Sequence, residues 1–293
     1  MNNNVKNVNV GVVTTEEKTE DFIIDKNGVL VEYTGYDKNI IIPKSVTSIG
    51  YRAFFNCTNL TSVTIPDSVT SIGEDAFAYC KNLTSITIPD SVTSIGEGAF
   101  WCCYALTNVN IPNNITSIER EIFYYCKSLT SITIPDGVTF IGENAFSRCT
   151  NLTSIIIPDS VTSIGKGVFR RCENLANIII PDGITSIDKG TFYNCESLTH
   201  ITIPDSVTSI GKCAFYGCRA LESINIPDGV ISIEYKTFAH CTNLTSITIP
   251  KSVTSIEEGA FYKCTNLTNV TIPDSVTSIG KNAFPENCVV NRK

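Results

Sequence analysis

With 293 residues, 42% of them hydrophobic, the chain has enough apolar material to build a core, which excludes global disorder. A formal charge of −7 gives no electrostatic reason to meet nucleic acid or an anionic membrane. No apolar run approaches the ~20 residues of a membrane-spanning helix.

The opening stretch "MNNNVKNVNVGVVTTEEKTEDF" is polar and lacks both the apolar centre and the small-residue cleavage site of a secretory signal. Residues 1–20 are expected to be a disordered tail. Residues 21–43, "DFIIDKNGVLVEYTGYDKNIIIP", place two extended runs around Asn27-Gly28, a strong hairpin signal. They are expected to cap the first coil and cover its open edge.

Residues 44–293 form an array of about eleven 23-residue repeats, the last incomplete. Proline recurs every 23 residues from Pro43 to Pro273, phenylalanine from Phe54 to Phe284 and isoleucine from Ile49 to Ile279. Leucine keeps the same beat from Leu60 to Leu267, and cysteine from Cys57 to Cys264. Such a period marks stacked units, each too small to fold alone and completed by its neighbours.

Within a repeat, "LTSITIP" reads as a short strand with Leu83, Ile86 and Ile88 inward and Ser85 and Thr87 outward. Proline closes it, because it cannot donate to a ladder and forces the preceding residue extended. "PDS" or "PDG" then turns the chain. "SVTSIG" is a second extended piece that buries Val69 and Ile72. In "EDAFAYC" the spacing of Ala76, Phe77 and Cys80 predicts a short helix or 3-10 turn on the outer side. The glycine before it becomes Glu119, Asp188, Glu234 or Glu257 in four repeats, which reads as a helix entry that welcomes negative charge.

Of the thirteen cysteines, ten share one repeat position beside core phenylalanine and leucine, so they read as small buried hydrophobes. Cys102, Cys213 and Cys288 lie off that column and are expected to be exposed and reactive. There is no C-x-x-C and the chain has two histidines, a poor basis for a zinc site, so no metal or other cofactor is expected. An aspartate column (Asp67, Asp90, Asp136, Asp159, Asp182, Asp205, Asp228 and Asp274) suits turns, and its alternative reading is a calcium-stabilised array. Repeats give every coil the same residues, whereas catalysis needs different groups converging on one point, so the chain is read as no enzyme.

The phrase "NLTSITIPDSVTSIG" followed by "AFxxC" resembles the BspA-like leucine-rich repeats, over residues 21 to about 288. The resemblance implies an α/β fold class: a right-handed leucine-rich repeat solenoid with a concave parallel sheet. It also implies a non-enzymatic surface protein that adheres to host proteins and cells. On such a concave face every coil offers two outward side chains. Partner-binding residues are therefore expected at Asn108, Asn110, Ser131, Thr133, Ser154, Ile156, Asn177, Ile179, His200, Thr202, Ser223 and Asn225. The isoleucine pair beside His200, rimmed by Ser, Thr and Asn, is the expected hot patch.

The expected partner is a protein or glycoprotein, with no nucleic acid and no membrane insertion. The leading reading is a cell-surface or secreted adhesin or antigen. The alternative is an intracellular, cytoplasmic scaffold or regulatory binder, favoured by the absence of an export signal and by the many cysteines. Asn59, Asn82, Asn151, Asn243 and Asn266 each begin an N-x-T sequon, which favours a bacterial or non-secretory setting.

Overall fold

The computed structural model describes residues 20–293. All of the tail expected over residues 1–20 except Glu20 lies outside them. Strand β1 (Phe22–Ile24) and strand β2 (Val29–Tyr33) form an antiparallel hairpin. Asp25 builds its turn by accepting from the backbone N–H groups of Asn27 and Val29, at 2.8 and 2.9 Å. Gly28 takes a φ of 81°, and a Cβ there would stand 2.8 Å from Thr47 Oγ1. Both facts require glycine. Strand β3 (Asn39–Ile41) pairs in parallel with Ser62–Thr64, and β4 (Ser48–Ile49) in parallel with β2.

From there each coil repeats three walls. The first is the long strand, as in Ser85–Thr87, with Ile86 buried between two exposed polar residues. The second is a short strand, as in Ser94–Ile95, with the isoleucine inward. Between them the Pro-Asp turn closes through a bond from Val92 N–H to Pro89 O at 3.0 Å. In five coils a serine hydroxyl in that turn ties it to the coil before, as in Ser160 to Val138 O at 2.6 Å, whereas Ser275 makes no such bond.

The third wall corrects the sequence reading, because the described residues contain no helix. Asp75 and Tyr79 take left-handed φ values of 53° and 62°, which no right-handed helix can hold. The N–H groups of Asp75, Phe77 and Tyr79 point along the solenoid to Glu97 O, Ala99 O and Trp101 O, at 2.9, 2.8 and 2.6 Å. Those of Ala76, Ala78 and Cys80 turn back to the carbonyl three residues earlier. A run of turns in which alternate N–H groups reach the next coil replaces the helix. The fold is therefore a parallel β-solenoid of strands and turns.

The glycine, kept in seven of eleven coils, is also not a helix entry. Its role is close approach: a Cβ at Gly73 would lie 2.8 Å from Gly50 C, and one at Gly165 would lie 2.7 Å from Glu143 N. The short-strand ladder runs from the hairpin to Ser94–Ile95, then restarts at Ser117–Ile118, Ser186–Ile187 and Ser232–Ile233. Each restart is a coil in which the glycine has become Glu119, Asp188 or Glu234. In these three coils a side chain stands where the backbones approach, and the ladder is interrupted. Glu257 keeps the ladder, with its N–H 2.8 Å from Ile233 O.

The core is a set of columns. Phenylalanine rings from Phe54 to Phe284 stack coil on coil, with neighbouring centroids at most 5.9 Å apart at Phe146–Phe169. Tyr33 and Phe22 extend the column into the hairpin, at 5.5 and 5.0 Å. The cysteine column packs beside it, and its thiols have a use beyond filling space. Cys80 Sγ donates to Phe54 O at 3.1 Å, and the same bond to the phenylalanine of the preceding coil recurs through Cys264. A thiol is small enough for the site and satisfies a buried carbonyl.

Candidate functional site: the long-strand face

All twelve expected partner-binding residues are exposed on the long-strand wall. Strand periodicity explains this: the residue between each outward pair is the buried isoleucine or valine. The parallel register stacks them in two columns, pairing Ser131 with Ser154 and Thr133 with Ile156, then Asn177 with His200 and Ile179 with Thr202.

The hydrogen-bonded ladder divides this face. It runs unbroken through four strands from Asn39–Ile41 to Asn108–Val109, and again from Ser131–Thr133 to His200–Thr202. Ser131, Thr133, Ser154, Ile156, Asn177, Ile179, His200 and Thr202 therefore share one continuous sheet. Asn108 belongs to the last strand of the sheet before it, with Asn110 just beyond that strand, and Ser223 and Asn225 belong to the sheet after.

The structure gives Asn110 a different role from the one its position suggests. Its amide donates to Ile88 O at 2.7 Å and accepts from Ile88 N–H at 2.9 Å, replacing ladder bonds where the sheet ends. That side chain is occupied with the fold. By contrast Ile156 and Ile179 are 77% and 79% exposed, side by side in one column. Ile41 repeats their position at the start of the face and is 71% exposed. Column position alone would have found it, because it replaces the usual threonine as they do.

Beside the last long strands lies an open groove of about 1170 Å³, lined by Ser246, Thr248, Lys251, Asn269, Thr271, Asp274 and Lys293 among others. Ile247 is half-buried there, whereas its column partners such as Ile224 and Val270 are buried.

The off-column cysteines are not activated nucleophiles. Cys102 is buried, while Cys213 and Cys288 are half-buried. Burial raises all three thiols above their ordinary range, although Lys236, Lys189 and Arg170 pull Cys213 partly back. Among the described residues no three His, Cys, Asp or Glu side chains converge to hold a metal ion. The sequon asparagines Asn59, Asn82, Asn151, Asn243 and Asn266 are all exposed. Asn82 spends its amide on Thr58 O at 2.7 Å.

The repeat walls, their 23-residue period and their inward columns match the BspA-type leucine-rich repeat region over residues 32–153, 116–244 and 185–292. The chain belongs to the BspA-type leucine-rich repeat family. A leucine-rich cell surface protein of Faecalibacterium prausnitzii is similar at 31% identity, with a TM-score of 0.55, over 93% of this chain and 92% of that one. A leucine-rich repeat protein of Bacteroides ovatus is 26% identical over 93% of this chain and 100% of that one, with a TM-score of 0.53. One from Eubacterium ventriosum is 25% identical over 91% and 92%, at 0.55. The pneumococcal vaccine antigen PcpA shares the fold at 21% identity and a TM-score of 0.56, over 92% of this chain and 65% of that one. No curated protein matches the chain. This BspA-type chain is thus a leucine-rich repeat scaffold, similar to a protein described as a cell surface protein. No helix among its described residues is long and apolar enough to cross a membrane.

Proposed function

We propose that this chain is a non-catalytic binding scaffold at a cell surface, and that its long-strand wall, the concave side of the solenoid, takes a protein or glycoprotein partner. One observation carries the reading. Two isoleucines, 77% and 79% exposed, stand together on a rigid parallel sheet beside the exposed His200, ringed by small polar side chains. A partner that covered them would remove apolar area from water, while Ser131, Ser154, Asn177 and Thr202 would supply a hydrogen-bonding rim. The Faecalibacterium relative, described as a cell surface protein, supports the location.

The thirteen free cysteines favour a second reading, an intracellular scaffold, because reduced thiols persist in reducing compartments. Protease shaving of intact source cells, with lysed cells as control, separates the two. Loss of the chain from intact cells supports the surface reading, and protection until lysis supports the other. The face itself is tested by replacing Ile156, Ile179 and His200 together with serine. Partner binding that survives this change in a folded protein overturns the assignment.

A further inference from the structure

One coil departs from the repeat at four places, and all four bear on its contact with the coil before. Glu222, Gly229, Ile231 and Glu234 stand where the preceding coil has Thr199, Ser206, Thr208 and Gly211. The three hydroxyls of that preceding coil each reach back one coil: Thr199 to Ala176 O at 3.4 Å, Ser206 to Ile184 O at 2.7 Å and Thr208 to Thr185 O at 3.4 Å. In the following coil Thr245, Ser252 and Thr254 do the same, at 3.2, 2.7 and 3.2 Å. Glu222, Gly229 and Ile231 have no hydroxyl to donate.

Backbone pairing stops at the same boundary. On its upstream side the N–H groups of Thr208 and Gly211 donate to Thr185 O and Ile187 O, at 2.9 and 2.8 Å. On its downstream side those of Thr254 and Glu257 donate to Ile231 O and Ile233 O, again at 2.9 and 2.8 Å. Across the boundary itself, neither Ser223–Asn225 nor Ser232–Ile233 pairs with the strand before it. Every other pair of neighbouring coils among the described residues pairs at least one of these two walls. The third wall does cross. There the N–H groups of Cys213, Phe215 and Gly217 donate to Tyr235 O, Thr237 O and Ala239 O at 3.0, 2.9 and 2.8 Å, and Phe215 stacks on Phe238 at 5.4 Å.

We propose that this boundary divides the solenoid into two cooperative units, and that the coils from Ser223 onward open as a block while those up to Thr202 stay folded. Stability in a stacked array is the sum of the coils and of the interfaces between neighbours, so the array parts where an interface is weakest. Here two walls and the turn between them are unbonded, and the third wall and the core hold the joint alone. The break falls directly after His200–Thr202, the last strand of the sheet that carries Ile156 and Ile179. The exposed isoleucines therefore stand on the stable unit, and the open groove beside Ser246, Thr248 and Asn269 on the one that opens. The division goes beyond the binding reading and does not depend on either surface taking a partner.

The test is native-state amide exchange of the whole chain, read by mass spectrometry in urea below the unfolding midpoint. Phe238 and Phe146 are the reference pair, because their N–H groups make the same bond to the next coil, to Ala260 O at 2.8 Å and Val168 O at 3.0 Å. Amides of residues 223–273 are expected to exchange as one class, at least about tenfold faster than those of residues 131–202, with a step at the joint. The variant Glu222→Thr, Gly229→Ser, Ile231→Thr, Glu234→Gly restores the residue types of the preceding coil and is expected to erase the step by slowing the downstream class. Ile231→Thr alone, at a side chain 63% exposed, is expected to slow that class less. Rates that climb gradually toward Lys293 would mean fraying from the end and would overturn the proposal. Equal rates in the two blocks, or a step left unchanged by both variants, would overturn it as well.

Discussion

Gly165→Ala and Gly137→Ala are the same chemical change made in one chain, and the structure requires them to have opposite signs. At Gly165 an added Cβ would stand 2.7 Å from Glu143 N and 3.0 Å from Glu143 Cα, with no flexible side chain to give way. The coils must part. The bond from Gly165 N–H to Ile141 O, now 2.8 Å, then lengthens together with its neighbours in the Ile141–Ile164 pairing. Losing one to three backbone bonds at about 0.5–1.5 kcal/mol each, offset slightly by the stiffer unfolded chain, leaves a net loss of about 1–3 kcal/mol. At Gly137 the nearest atoms are Asn113 O and Ile115 O, both at 3.6 Å, and the backbone is not left-handed. Only the unfolded-state term remains, so Gly137→Ala gains about 0.4–1 kcal/mol. Urea unfolding with an unchanged m-value measures both, and amide exchange at residue 165 should speed up only in the first variant. If both variants shift the midpoint in the same direction, close approach of the backbone is not what the glycine column provides.

Other consequences can be measured in the same protein. Phe146→Ala, which removes a fully buried ring stacked on both sides, should cost about 3–5 kcal/mol. Phe284→Ala, half-buried and stacked only on Phe261, should cost clearly less, and equal losses would contradict nearest-neighbour stabilisation. Native-state alkylation should reach half-buried Cys57, Cys213 and Cys288 before any buried column thiol; early loss of Cys149 would refute the burial assignment. Burial raises the thiol pKa to about 12 at Cys149 and about 11 at Cys57, against 9.0 for an unperturbed thiol. The folded state thus keeps protons that the unfolded chain releases. The stability this confers is intact below pH 9.0 and falls as pH rises above it, which a stability profile from about pH 8 to pH 11 will show. Ser160→Ala removes the 2.6 Å bond to Val138 O and should lower the urea midpoint by the equivalent of about 1 kcal/mol.

The 23-residue period, the strand with Ile86 inward and Ser85 and Thr87 outward, and the two-column face with its exposed isoleucines were all legible in the sequence. Each depends on local alternation and on every coil repeating its neighbour, so one dimension of information suffices. Three features were not legible, and all three are decided between coils. Ala76, Phe77 and Cys80 have a spacing common to a helical turn and to a run of β-turns. Carbonyls of the next coil, Glu97 O, Ala99 O and Trp101 O, settle it by taking the N–H groups of Asp75, Phe77 and Tyr79. The glycine column and its acidic exceptions read as a helix entry, because nothing in the sequence shows that Gly50 C would come within 2.8 Å of a Cβ at Gly73. Asn110 sits where a partner-facing residue should, yet its amide is committed to Ile88. Sequence determines which side of a strand a residue occupies; how near the neighbouring backbone comes, and whether it claims the side chain, follows only once the coils are stacked.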